Sequence, residues 1–230
     1  MLLDVAPARA EAITHELQDW IRRDKFPCVG AKSALARGNL KIFVAKDLTS
    51  GWDDLPIHDA LLDWADQYKN DPTGLRSLAV VFEGPRHLSE LEFEKALWVR
   101  IQSLADKDHW RGQEYDPRVS GDPTENHFSL SFGGEAFFVV GLHPNASRPA
   151  RRFQYPTFVF NLHDQFERLR SEGLYERMRE RILERDKELA GTINPMLARH
   201  GEASEARQYS GRAVPEGWQC PFRDKRADPS

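Results

Sequence analysis

The sequence predicts a single α+β domain whose mixed or antiparallel sheet is covered by helices. Helix-like and strand-like stretches mix along the chain without an internal repeat or an interdomain linker, the pattern of an α+β layer. Gly133-Gly134 separates two apolar strand-like runs, and paired glycines supply the positive φ of a tight turn, so a β-hairpin is expected over about 127–142. The 230 residues suffice for one sizeable core. That domain is expected to span 1–222, with 223–230 as a disordered tail.

The elements follow in order. Residues 8–23 form an amphipathic helix with Ile13, Leu17, Trp20 and Ile21 on one face, stopped at Phe26-Pro27. A short helix over 29–37 precedes a strand at Leu40–Ala45. Asp53 or Asp54 caps a helix reaching Lys69, with Pro56 tolerated in its first turn. Leu78–Phe82 is a strand, ended by Gly84-Pro85. Ser89 and Glu92 form a capping box ahead of a helix carrying Leu91, Ala96, Leu97, Val99, Ile101 and Leu104. Residues 111–126 are a polar loop. Phe128, Leu130 and Phe132 share one face of the first hairpin strand, and 136–142 return as the second. Thr157–Asn161 is a further strand, followed by helices at Asp164–Arg170 and about Leu174–Leu189. The Arg/Glu alternation of the last helix reads as a solvated face. Residues 191–217 are irregular.

Composition narrows the function. A net charge of −4 argues against general nucleic-acid affinity, which needs a basic surface. No apolar run approaches the roughly 20 residues of a membrane span. Asp4 interrupts the apolar start, unlike a secretory signal, so a cytoplasmic protein is expected. There Cys28 and Cys220 would be reduced, and no CxxC or paired Cys/His spacing suggests structural zinc. A glycine-rich phosphate loop, a nucleophile elbow and an HExxH motif are all missing from the sequence.

What remains is His143-Pro-Asn-Ala-Ser-Arg-Pro-Ala-Arg-Arg-Phe153, directly after an apolar strand. Histidine at a strand end can bind iron or move protons near neutral pH, or simply bond a backbone carbonyl. Asn145 and Ser147 add polar groups, and Arg148, Arg151 and Arg152 can fork onto carboxylates or pair with local acids. Antiparallel pairing should bring His127 close to His143, with register uncertain by a residue or two. Asn161 and His163 reach the same site if their strand neighbours 136–142. Cys28 and Cys220, each beside proline and aromatics, are buried inert thiols or thiolate ligands to iron.

Several runs together resemble the bacterial YqcI/YcgG family: Phe26-Pro-Cys-Val-Gly-Ala-Lys-Ser33, His143–Phe153, Pro156-Thr-Phe-Val-Phe-Asn-Leu-His163 with Gln165-Phe166, Tyr209-Ser-Gly-Arg212 and Trp218-Gln-Cys-Pro-Phe222. The resemblance implies a haem b protein, a monooxygenase hydroxylating a guanidino or amine nitrogen of arginine or an arginine-derived metabolite. Its partners would be that small substrate, O2 or peroxide and an electron donor the sequence does not name. Neither nucleic acid nor membrane is expected, and a homodimer is compatible with it. In that frame His143 is the expected axial ligand, with Cys220 as rival. His127, Asn145, Ser147, Arg148, Arg151 and Arg152 line the cofactor, and His163, Asn161 and Glu135 serve catalysis. Glu135 and Asp164 are positioned to meet a guanidinium. The alternatives are a haem-binding or haem-sensing protein without turnover, and a cofactor-free domain whose arginines bind an anionic metabolite.

Overall fold

Ile13, Leu17, Trp20 and Ile21 recur at helical spacing, and helix α1 (Pro7–Arg22) buries these four. The computed structural model describes residues 5–192 and 202–226. After α1 come α2 (Val29–Ala36), β1 (Leu40–Asp47), α3 (Asp54–Asn70), β2 (Ser77–Gly84), α4 (Glu90–Trp110), β3 (Leu130–Phe132), β4 (Glu135–Leu142), β5 (Thr157–Leu162), α5 (Asp164–Ser171), α6 (Tyr175–Ala190) and α7 (Ala206–Tyr209). The expected α+β class holds. One five-stranded sheet runs in the order β1-β2-β5-β4-β3, with β1 and β2 parallel and the other pairs antiparallel. No helix among the described residues is long and apolar enough to cross a membrane.

Both faces of the sheet are covered. The larger core lies under α3 and α4, where Leu61, Trp64, Leu97, Ile101 and Leu104 meet Leu78, Val80, Phe82, Phe137 and Phe160. On the other face α1 packs against Ala79, Val81 and Leu142, with Phe153 and Tyr155. The capping box at Ser89 and Glu92 forms as expected. The α3 cap does not. Asp53 instead accepts the Lys46 backbone N–H at 2.8 Å, and Asp54 is consumed by Arg100 at 3.0 Å. Of the apolar residues that α4 carries, Leu97, Ile101 and Leu104 are buried, and Leu91 and Val99 are exposed. Short helix α7 falls inside the stretch expected to be irregular, part of which, 193–201, lies outside the described residues.

Two further expectations change. The hairpin turns through Gly133 and Gly134, both at positive φ, but its pairing covers only Leu130–Phe132 against Glu135–Phe137. Before Leu130 the chain leaves β4 to pair with the preceding loop, where the Ser120 N–H donates to the His127 carbonyl at 3.0 Å. His127 is therefore exposed and is not carried alongside His143. The expected tail is also partly built in. Arg226 forms ion pairs with Asp108 and, at 2.7 Å, with Asp224. Asp108 is fully buried and also accepts bonds from His58 Nε2 at 2.7 Å and Gly133 N–H at 3.2 Å. A buried carboxylate needs a counter-charge, and Arg226 brings the chain end back to supply it. Residues 227–230 lie outside the described residues.

Removing that counter-charge should be costly. Arg226→Ala should lower unfolding free energy by about 3 kcal/mol or more, because it strips the buried carboxylates of Asp108 and Asp224 of their shared guanidinium. Urea unfolding checks this, and a loss below about 1 kcal/mol would mean the pair behaves as a solvated surface bridge.

Candidate functional site

Successive strand residues point to opposite faces, and in β4 this alternation separates packing from site. Phe137 and Val139 point into the core beneath α4. Gly141 continues this face, where an added Cβ would lie 2.8 Å from both Phe93 Cε1 and the Tyr209 carbonyl. His143 sits past the strand end, 1% exposed and stacked on Phe93 with ring centroids 4.4 Å apart. Its Nδ1 is buried without a hydrogen-bond partner among the described residues. Burial pulls the imidazole down to about 4, opposed by Glu90.

Phe138 and Val140 point the other way, into a cleft on the face that carries α1 and α2. The cleft has two lobes of about 240 and 220 Å³, joined through shared walls that include Cys28, Phe138, Val140, Asn161, Met178 and Ile182. The first lobe adds Trp20, Ile21, Ala79, Arg148, Arg151 and Asp186. The second adds His163, Arg170, Tyr175, Arg179, Glu205 and Gln208. Together the connected lobes reach the size of small-ligand sites, roughly 300–1,000 Å³, and share their character of apolar walls with few polar groups.

Each polar group is held by a specific local structure. Cys28 caps α2, its Sγ accepting the Ala31 N–H at 3.4 Å. Burial pushes its thiol up, while the backbone N–H groups of Ala31 and Gly30 and the Arg151 guanidinium oppose the rise. Arg151 donates only to backbone carbonyls: Gly141 at 3.0 Å, Gln208 at 3.2 Å and Tyr209 at 3.3 Å. Desolvation draws it down to about 10, with Asp186 opposing. Arg148 is clamped between Asp186 Oδ2 and the Thr192 carbonyl, the latter at 2.7 Å. In the second lobe His163 Nε2 faces Glu205 Oε1 at 3.6 Å. Glu205 Oε2 accepts Ser129 Oγ–H at 3.2 Å and Tyr209 O–H at 3.3 Å. Asn161 is fixed by Ser77, whose hydroxyl donates to it at 2.7 Å.

A family model described as YqcI/YcgG matches residues 17–223. The chain belongs to the YqcI/YcgG family. Comparisons with curated proteins and with solved structures find no match.

The fold splits the motif run that pointed to the YqcI/YcgG family. Arg148 and Arg151 line the cleft. Arg152 turns back onto the Ala146 and Ser147 carbonyls, both at 3.0 Å. Asn145 donates to the Leu88 carbonyl at 3.0 Å, and Ser147 is bound to Glu90 at 2.8 Å, so both tie the loop to the start of α4. His143 lies outside both lobes, packed against Phe93. Cys220 packs against the α3–α4 core, where burial pushes its thiol up to about 12. Glu135 does not wait for an incoming guanidinium, because Arg118 already binds it at 2.8 Å together with Asp116 and Asp164. Asn161 and His163 do reach the cleft, as does Cys28.

Asp186 and Glu205 were missed. Asp186 extends a stripe with Met178 and Ile182 at four-residue spacing, so an acid continues the apolar face of α6. That interruption is a readable signal. Glu205 sits in an irregular segment where no periodicity marks it. Among the described residues, no group of three or more His, Cys, Asp or Glu side chains is arranged to hold a metal ion. This bears on a bare metal centre and not on haem, whose porphyrin supplies four of the iron ligands.

The position of His143 has a pH consequence. Its folded-state pKa of about 4 lies below the ordinary value of 6.5, so the unfolded chain binds its proton first. The stabilisation is full above pH 6.5 and is lost as pH falls toward 4. His143→Phe should retain the stacking and flatten the stability–pH curve in that window, read as melting temperature against pH. An unchanged slope would mean that the folded and unfolded states bind the His143 proton equally.

Proposed function

We propose that the cleft is the site of a haem-dependent monooxygenase that hydroxylates a guanidino or amine nitrogen. The observation that carries this reading is the meeting of a half-buried thiol, an imidazole–carboxylate pair and several guanidinium groups in one apolar cleft of a YqcI/YcgG protein. The donor set fits haem. Cys28 lies on the wall common to both lobes and is the ligand we assign in place of His143 and Cys220, which lie outside the cleft. Arg170 and Arg179, in the second lobe, suit the propionates. When bound there, haem would supply the activation of O2 or peroxide.

The chain's own residues would prepare the substrate. A protonated guanidinium has no nitrogen lone pair free to accept oxygen, so a base must take a proton from it. His163 Nε2 beside Glu205 Oε1 provides that couple, and Ser129 and Tyr209 hold Glu205 in place. Asn161, pinned by Ser77, presents its amide between the lobes. The apolar walls exclude water and strengthen each of these interactions. Two unpaired cysteines suit the reducing cytoplasm.

Absorption spectroscopy of protein expressed with a haem precursor tests the reading. Wild type should show a Soret band, with a thiolate-type spectrum in the reduced CO complex. Cys28→Ala should lose that signature, whereas His143→Phe and Cys220→Ala should keep it. An imidazole-type spectrum abolished by His163→Ala would move the ligand to His163, and colourless protein would sink the haem reading. With haem occupancy unchanged, Glu205→Gln should slow nitrogen hydroxylation by about 100-fold if the pair acts as acid and base.

A further inference from the structure

We propose that Trp218, Trp98 and Tyr209 form a relay that carries single electrons from the protein surface to the cleft, discharging an oxidant formed there when no substrate consumes it. The inference rests on the reading of the cleft as an oxygenase site. Trp98 belongs to α4, Tyr209 to α7 and the half-buried Trp218 to the segment that follows. Their rings meet in series. The centroids of Trp218 and Trp98 lie 6.2 Å apart, and those of Trp98 and Tyr209 5.8 Å apart. Tyr209 then meets Phe138 edge-on at 5.4 Å, and Phe138 is a wall of both lobes. Tryptophan and tyrosine are among the side chains that give up one electron most readily, and tunnelling between rings in contact is fast. The Phe138 ring is not itself oxidised and only spans the last gap.

The polar atoms of the three rings are arranged for this role. Oxidation makes a tyrosine hydroxyl strongly acidic, so the step needs a proton acceptor. Tyr209 is fully buried, and its O–H donates to Glu205 Oε2 at 3.3 Å. Burial raises that hydroxyl well above its ordinary value, so it keeps its proton until the ring is oxidised. At the other end Trp218 Nε1–H donates to Glu94 Oε1 at 3.1 Å. That carboxylate offsets the positive charge that loss of an electron puts on the indole, against the Arg207 guanidinium 6.0 Å from the ring. Trp98 differs from both. It is 3% exposed, and its buried Nε1–H has no hydrogen-bond partner among the described residues. With no group there to take a proton or balance a charge, an electron vacancy passes through Trp98 and settles at the two ends.

Electrons and protons balance along this path. A one-electron oxidant left in the cleft by O2 or peroxide activation takes an electron from Tyr209, whose hydroxyl proton passes to Glu205. Tyr209 recovers an electron from Trp98 and its proton from Glu205. Trp98 recovers an electron from Trp218, and Trp218 from a thiolate in solution, which leaves as a thiyl radical. The other tryptophan and tyrosine of the cleft have no such path. Among the described residues, Trp20 contacts the rings of Phe26 and Phe153, and Tyr175 meets the Arg170 guanidinium. No second tryptophan or tyrosine continues from either.

Pulse radiolysis of the full-length, haem-free protein with azidyl radicals, which take one electron from accessible tryptophan, tests this. Tryptophanyl absorption should decay as tyrosyl absorption grows, at a rate independent of protein concentration. Trp98→Phe and Trp218→Phe should lose that phase, and Tyr209→Phe should lose the tyrosyl signal. Trp110→Phe, at an exposed position outside the series, should keep both. In haem-loaded protein given peroxide without substrate, freeze-quenched samples should show a tyrosyl radical by electron paramagnetic resonance that Tyr209→Phe removes. Peptide mass spectrometry of the same samples should find oxygen added to Trp218 in wild type and not in Trp98→Phe. The proposal is overturned if wild type shows no concentration-independent transfer, or if folded Trp98→Phe protein transfers as wild type does. The wild-type measurement decides the matter even if the variants fail to fold. Colourless protein that still shows the transfer would defeat the haem reading and keep the relay. Red protein without the transfer would do the reverse.

Discussion

Strand β4 is buried on both sides, and that constraint organises the molecule. Where one face of a strand meets water, hydrophobic alternation marks the inside. In Ala136-Phe-Phe-Val-Val-Gly-Leu142 both parities are apolar, because one faces the α3–α4 core and the other lines the cleft. The core side is tight enough that only glycine fits at position 141 beneath Phe93. The cleft side is left looser, and Phe138, Val140 and Val159 are half-buried there. The cleft is what remains of a second core that α1, α2 and α6 do not fill.

That geometry explains how much the sequence disclosed. Elements set by local chemistry were legible: the amphipathic stripe of α1, the capping box at Ser89, the glycine turn at 133–134 and the strands on either side of it. The motif runs were legible as a family signature. The face on which each motif residue lands was not, since a two-sided apolar strand carries no parity signal. His143 looked like a site residue because it follows a strand directly, yet the side it emerges on is the packed one. Long-range polar pairings were equally hidden. His163 with Glu205 and Asp108 with Arg226 join residues 42 and 118 positions apart, and only closure of the fold brings them together.

The run His143–Phe153 thus has two jobs in one loop. Its first half fastens the loop to α4 through Asn145, Ser147 and the stacked His143. Its arginines then divide: Arg152 stitches the loop to itself, and Arg148 and Arg151 cross to the cleft. A dense motif need not be a dense site. Here a rigid frame aims two of its side chains, and the rest of the run builds the frame.

Arg151 is held by main-chain oxygens from β4 and from the end of α7, not by an acidic side chain. A charge anchored this way belongs to the fold itself. Replacing a neighbouring side chain leaves those carbonyls in place, and a carbonyl, unlike a carboxylate, does not stop accepting when the pH falls. That corner of the cleft therefore stays cationic near neutral pH, well below the value of about 10 to which burial draws the guanidinium. The side chains around it are free to change what the cleft accepts, while the element that demands a negative charge stays the same.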